Sequence, residues 1–119
     1  LFKKAVEELN EYNRLYILDG HFCLLNEHGI ITRISLETFF DLQPDFIILL
    51  TEKPEIIAER RFKRYNIDID IQLIHSFQTE EKLYAEEIAS TLGVPLVISK
   101  GANDLNRLTM LLQKWIKEM

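Results

Sequence analysis

Residues 44–55 read PDFIILLTEKPE and give the clearest indication of the fold class. The five consecutive apolar residues 46–50 predict a strand that is buried on both faces, as strands of parallel sheets are. Pro54 and Glu55 predict the start of a helix, because proline has no amide to leave unpaired in the first turn and a carboxylate suits the positive end of the helix dipole. The stretch therefore predicts a buried strand that passes directly into a helix.

Two further apolar runs have the same character. Residues 15–18 are followed by Asp19 and Gly20, and residues 96–98 are followed by Ser99. Three wholly apolar strands separated by helices predict an α/β fold, a three-layer α/β/α arrangement around a parallel sheet.

The segments between the strands carry helical patterns. We predict helices over 1–12, 36–42 with Ser35 as its cap, 54–65, 71–92 with Gly93 as its stop, and 104–117 with Asn103 as its cap. Residues 22–34 are predicted to form a loop with a short extended segment near its end, and residues 66–70 a short interruption. On the 71–92 helix the predicted apolar side includes Phe77, Leu83 and Tyr84, whereas Glu81 is expected to face water.

Composition limits the classes of function. The chain has 119 residues, of which 47% are hydrophobic, and this suits one domain, which we take to span 1–119. The net charge of -5 argues against a binder of duplex nucleic acid. The sequence contains no apolar run of about 18 residues, so it predicts no membrane-spanning helix. The single cysteine excludes an internal disulfide, and a cytoplasmic location is the expectation.

Candidate site residues follow the predicted strands, because ligands of open parallel sheets bind at the carboxyl ends of the strands. Asp19 directly after four apolar residues is typical of a carboxylate that holds Mg²⁺ through water beside phosphates. The alternative is a simple Asp-Gly turn. The polar residues that follow the three strands are Asp19, Gly20 and His21; Thr51, Glu52 and Lys53; and Ser99, Lys100, Gly101 and Asn103.

A basic cluster near the end of the 54–65 helix is the second candidate. Arg60, Arg61 and Arg64 are spaced so that one of the first two shares a face with the third. Guanidinium groups can clamp the oxygens of a transferring phosphoryl group. The alternative is a solvated helix end whose cations suit the negative end of the dipole.

Four motifs in order resemble a known family. They are YILDGH at 16–21, LQPDFIILL at 42–50, PEIIAERR at 54–61, and AEEIA at 85–89 followed by LGVPLVI at 92–98. This order resembles the C-terminal two-thirds of a P-loop nucleotide kinase, closest to the small adenylate-kinase-like ATP-binding proteins, including the archaeal-type adenylate kinases. The resemblance covers nearly the whole chain and implies a lid-like segment over about 60–82.

The resemblance implies roles for individual residues. Asp19 would organise Mg²⁺ at the phosphates of ATP, and His21 would lie near the acceptor. Arg60, Arg61 and Arg64 would be lid arginines that act on the adenine and the phosphates. The loop with Lys100, Gly101 and Asn103 would lie near the adenine. ATP and a small-molecule or nucleotide acceptor are the implied partners.

One motif of the family is absent from the sequence. The pattern Gly-x-x-x-x-Gly-Lys-Ser/Thr, whose amides and lysine cradle phosphates, does not occur among the 119 residues. We therefore expect a fragment that is truncated at its N-terminus and inactive alone. Its unpaired strand edges predict self-association.

Three hypotheses remain open. The first is a part of an ATP-dependent kinase that transfers a phosphoryl group to a nucleoside-monophosphate-like acceptor. The second is a non-catalytic kinase-like module that binds nucleotides or partners. The third, an unrelated flavodoxin-like or receiver-type domain, predicts an acidic cluster or cofactor loop after the first strand, where the sequence offers only Asp19.

Overall fold

The computed structural model describes Leu18 and residues 20–118, apart from the side chain of Ala102. It has an α/β fold with two small sheets. In chain order the described elements are β1 (Cys23–Leu25), β2 (Ile31–Arg33), α1 (Leu36–Leu42), β3 (Ile47–Thr51), α2 (Pro54–Tyr65), α3 (Ile71–Leu92), β4 (Leu96–Lys100), a short 3-10 turn (Ala102–Asp104) and α4 (Leu105–Glu118).

The predicted parallel pairing is present between β3 and β4. The register places Ile47 opposite Leu96 and Thr51 opposite Lys100. The crossover between the two strands contains both α2 and α3, which lets the strands run in the same direction. The third predicted strand, 15–18, lies outside the described residues except for Leu18, so the described parallel sheet has two strands.

The second sheet corrects the prediction of a loop over 22–34. β1 and β2 form an antiparallel hairpin, with Cys23 opposite Arg33. Asn26 builds the turn, because its side-chain Oδ1 accepts hydrogen bonds from the amides of His28 and Ile30, both at 2.9 Å. Gly29 completes the turn with a φ of 74°, a left-handed conformation that suits glycine.

The helix ends agree with the sequence at three places. Pro54 is the first residue of α2. Asp70 caps α3 by accepting a hydrogen bond from the amide of Gln72 at 3.0 Å. Gly93 ends α3 with a φ of 69°. The predicted interruption at 66–70 and the helix over 71–92 are therefore confirmed.

Of two predicted caps, one holds in position only and the other is wrong. Ser35 occupies the N-cap position of α1, but its side chain makes no capping hydrogen bond. Asn103 lies inside the 3-10 turn, so α4 begins at Leu105 instead of 104. The side chain of Asp104, the last residue of the 3-10 turn, instead accepts a hydrogen bond from the amide of Lys100 at the end of β4, at 3.1 Å.

α3 is the central element of the core. Tyr84 and Ile88 on its inner face pack with Cys23 of β1, Phe39 of α1 and Ile47 of β3. Glu81 is also buried, with only 7% of its surface exposed, whereas Leu83 is 48% exposed, so the predicted orientations of these two residues were wrong. The reason is helical spacing: Glu81 lies four residues after Phe77 and three before Tyr84, on the same face.

Candidate functional site

The carboxyl ends of β3 and β4 lie side by side. The amide of Gly101 donates a hydrogen bond to the carbonyl of Thr51 at 3.0 Å, and the Thr51 hydroxyl donates to the carbonyl of Ser99. These bonds continue the ladder beyond the strands. The polar residues that follow the two strands in sequence therefore meet at one edge of the sheet, as the parallel topology predicts.

Glu52 lies at the centre of this edge. Its carboxylate accepts a hydrogen bond from the amide of Lys53 at 2.9 Å, and its Oε2 lies 3.6 Å from Nη2 of Arg60. A Cβ at Gly101 would lie only 3.0 Å from Oε1 of Glu52, and Gly101 also has a φ of 91°. Glycine therefore suits this position through its backbone conformation, and a larger residue would also have to displace the Glu52 carboxylate.

Gln78 of α3 fixes the backbone of Glu52. Its side-chain oxygen accepts a hydrogen bond from the Glu52 amide at 3.0 Å, and its side-chain nitrogen donates to the Glu52 carbonyl at 2.7 Å. One amide side chain thus satisfies both backbone groups of the residue that follows β3. Sequence reasoning placed Glu52 at a strand end but assigned no role to it or to Gln78.

An open cavity of about 360 Å³ lies beside β4. Two of the three residues predicted to contact adenine, Lys100 and Asn103, line it, whereas the third, Gly101, lies against Glu52. The remaining lining residues are Ile98, Asp104 and Arg107.

Asp104 and Arg107 form an ion pair in the wall of this cavity. Nε of Arg107 donates to Oδ1 of Asp104 at 2.7 Å, and Nη2 of the same guanidinium also reaches the carbonyl of Ile98 at 2.8 Å. The hydrogen bonds from Arg107, and next the one from the amide of Lys100, lower the pKa of Asp104 from 3.8 to about 2. Asp104 is therefore ionised at neutral pH and balances the charge of Arg107.

The side chain of His21 packs against α3. Its Nδ1 is 3.4 Å from Oε2 of Glu81, and its ring meets that of Phe77 edge to face, with the centroids 6.2 Å apart. The imidazole side chain is still 64% exposed. One side of the imidazole therefore faces Glu81 and Phe77, and most of the rest is open to solvent.

The predicted arginines separate into two groups. Arg60 reaches Glu52 at the sheet edge. Arg61 and Arg64 lie exposed on α2, and the guanidinium carbon of Arg64 lies 5.8 Å from the ring centroid of the adjacent Tyr65. The structure thus brings Arg60 to the strand ends and leaves the other two at the surface.

The predicted magnesium ligand, Asp19, lies outside the described residues. In the part of the chain that the structure does describe, no group of three or more His, Cys, Asp or Glu side chains could hold a metal ion. In that same part, no helix is both long and apolar enough to cross a membrane.

The cavity wall combines the apolar side chain of Ile98 with polar groups from Lys100 and Asn103. Arg60, at the neighbouring strand end, is paired with Glu52.

Comparison with known families decides the class of the protein. A family model described as "AAA domain" matches residues 1–77. The chain belongs to this AAA domain family. The match covers the motif at 16–21, the hairpin, β3 and α2, and it indicates a nucleotide-binding domain of the P-loop NTPase type. No curated protein matches the chain.

The AAA domain assignment confirms the coarse prediction from the motifs, a nucleotide-binding domain of the P-loop class. The matched range ends at residue 77, directly before Gln78, so β4 and the cavity lie beyond it. A role for these later elements therefore rests on their geometry at the strand ends.

Proposed function

We propose that this AAA domain is the base-binding and lid part of an ATP-dependent small-molecule or nucleotide kinase. The observation that carries the proposal is the meeting of Glu52, Arg60 and Gly101 where β3 and β4 end, beside the cavity. The lid helix α2 and the loop after β4 thereby both approach one carboxylate. An enzyme that transfers the γ-phosphoryl group of ATP needs both parts around the same nucleotide.

In this proposal the cavity receives adenine, with Lys100 and Asn103 in its wall and Gly101 in the adjoining turn. Arg60, Arg61 and Arg64 act as lid arginines on the phosphates. Asp19 holds Mg²⁺ through water, and His21 faces a nucleoside-monophosphate-like acceptor. The bound Mg²⁺ would neutralise charge that develops on the transferring phosphoryl group.

The phosphate-binding loop comes from outside these 119 residues in our proposal, because the sequence lacks the motif that forms it. We further propose a three-layer α/β/α fold of the P-loop kinase type, in which residues 15–18 form the third strand of the parallel sheet. We also propose that the enzyme is cytoplasmic. The isolated chain should then bind Mg·ATP more weakly than micromolar and should self-associate. Calorimetry and sedimentation velocity measure these two properties.

The test of the function uses the natural protein that contains this chain. We expect it to bind Mg·ATP in calorimetry and to transfer phosphate from ATP to a nucleoside monophosphate. Arg60→Ala should weaken ATP binding, because it removes a guanidinium at the strand ends. Lys63→Ala is the matched control, since Lys63 lies on the same helix but pairs with Glu59 at 2.8 Å.

Asp19→Asn should lower turnover strongly while the fold, measured by circular dichroism, stays intact. A wild-type protein that binds no Mg·ATP would contradict the proposal. Equal effects of Arg60→Ala and Lys63→Ala would remove Arg60 from the site.

A second candidate is a non-catalytic nucleotide-binding module. It is favoured by the composition of residues 66–82, the second part of the lid-like segment. These residues contain no arginine and only His75 and Lys82 as basic residues, so they offer few groups to stabilise a transferring phosphoryl group. Arg60, in addition, is already paired with Glu52. Tight Mg·ATP binding without transfer to any nucleoside monophosphate would select this candidate over the kinase.

A further inference from the structure

α3 makes two separate sets of hydrogen bonds to the backbone of segments that carry candidate site residues. Gln78 bonds to Glu52, directly after β3. Glu81 bonds to the amides of Phe22 and Cys23, directly after His21. The two side chains are three residues apart, which places them on neighbouring turns of the same side of the helix.

The contacts of Glu81 converge on a single oxygen. Its Oε2 accepts hydrogen bonds from the amide of Phe22 at 3.0 Å and that of Cys23 at 3.4 Å, and it lies 3.4 Å from Nδ1 of His21. The side chain is 9% exposed. A buried carboxylate needs such donors, and bonds to a charged acceptor are stronger than neutral ones. This one oxygen therefore holds the backbone of residues 22 and 23 and lies beside the imidazole of His21.

The contacts of Gln78 use both ends of its amide. A glutamate in its place would keep the acceptor for the Glu52 amide but lose the donor to the Glu52 carbonyl, and a leucine would lose both. Because Gln78 fixes the backbone of Glu52, it also limits the directions that the Glu52 carboxylate can take towards Arg60 and Gly101.

We propose that Gln78 and Glu81 are positioning residues that set the two halves of the site independently from one helix. Gln78 sets the ATP half through Glu52, and Glu81 sets the acceptor half through His21. Neither residue touches substrate in this account. The assignment of the two halves rests on the proposed function, whereas the two independent anchors rest on the hydrogen bonds alone.

The first measurement needs no nucleotide. Amide hydrogen exchange is followed by NMR in the natural protein that contains this chain, for wild type, Gln78→Leu, Glu81→Leu and Glu81→Gln. We expect Glu81→Leu to speed exchange at Phe22 and Cys23 but not at Glu52, and Gln78→Leu to do the reverse. Glu81→Gln keeps an acceptor oxygen and should restore slow exchange at Phe22.

The second measurement is steady-state kinetics with ATP and, as the acceptor probe, AMP. Gln78→Leu should raise the KM for ATP about tenfold, the change that corresponds to about 1.4 kcal/mol and to the loss of a hydrogen bond, with the KM for AMP unchanged. Glu81→Leu should raise the KM for AMP by a similar factor and leave that for ATP unchanged. The controls are Gln72→Leu and Glu86→Gln, both exposed positions of α3, which should change neither.

The outcomes separate the two claims. Faster exchange that spreads over both segments in either variant, or unchanged exchange at Phe22 in Glu81→Leu, overturns the independent anchors. Equal changes in both KM values overturn the division into halves. A wild type that binds no Mg·ATP contradicts the kinase proposal, while localised exchange in the two variants would still support the anchors.

Discussion

The neighbouring helices α2 and α3 are packed in different ways. Six residues of α3 are buried, including Ile74, Glu81 and Ile88, whereas none of the residues of α2 is buried. The two helices follow each other with only residues 66–70 between them. From this difference we expect α3 to act as a fixed support and α2 to respond to a bound ligand.

α3 is held along its length by side chains of other elements. Arg33 of β2 bonds to Glu80 and Glu87 and lies over the ring of Tyr84, with 4.7 Å between the guanidinium carbon and the ring centroid. α2, in contrast, is joined to the strand ends by the contact of Arg60 with Glu52, in which the arginine side chain is 63% exposed. Elements with few buried contacts open at low free energy, so we expect the arginines of α2 to move towards a bound anion more readily than α3 would.

The largest expected effect is on the buried face of α3. Ile88→Ala should lower the free energy of unfolding by about 2–5 kcal/mol, because Ile88 has no exposed surface and its truncation leaves a cavity. Phe62→Ala on α2 is the control, since Phe62 is 55% exposed and its loss should change stability by about 0.5 kcal/mol or less. Urea denaturation measures both, and similar values for the two would remove the contrast between the helices.

A smaller effect is expected at the hydroxyl of Tyr84. It donates to the carbonyl of Ile34 at 2.5 Å, and burial raises the pKa of Tyr84, so the hydroxyl stays protonated as a donor. Tyr84→Phe should cost about 1–2 kcal/mol, because the partly buried carbonyl loses its donor. Tyr65→Phe at the exposed end of α2 should have no measurable effect. An unchanged midpoint for Tyr84→Phe would show that α3 does not depend on this bond.

The smallest expected effect is a pH dependence at the cavity. Because the folded-state pKa of Asp104 is about 2, below its ordinary 3.8, the stability that Asp104 contributes is present above pH 3.8 and is lost as the pH falls towards 2. NMR titration should find this low pKa in wild type and a rise towards 3.8 in Arg107→Gln. A pKa that stays near 2 in the variant would show that Arg107 is not its main cause.

The sequence predicts the elements whose signal is local. The apolar runs of β3 and β4, Pro54 at the start of α2 and Gly93 at the end of α3 each determine their element through residues close in the chain. The hairpin was missed because each of its strands has only three residues, too few for an alternation to stand out.

The site was predicted less completely for a physical reason. Strand ends could be located, so Lys100 and Asn103, which line the cavity, were candidates, and the basic cluster on its helix made Arg60 one. Gln78 and Glu81 were missed because their partners lie 26 to 59 residues away, and a polar residue on an apolar helix face gives no local sign of its partner. Their positions at helical spacing from Phe77 and Tyr84 were the available signal.

The most direct test of the central claim is hydrogen exchange of the natural protein with and without Mg·ATP. The account predicts slower exchange with nucleotide at 51–53, at 100–104 and along α2, and unchanged exchange in the buried half of α3 from 84 to 89. Protection that is absent from both strand ends, or a change of exchange at 84–89 as large as that in α2, would contradict it.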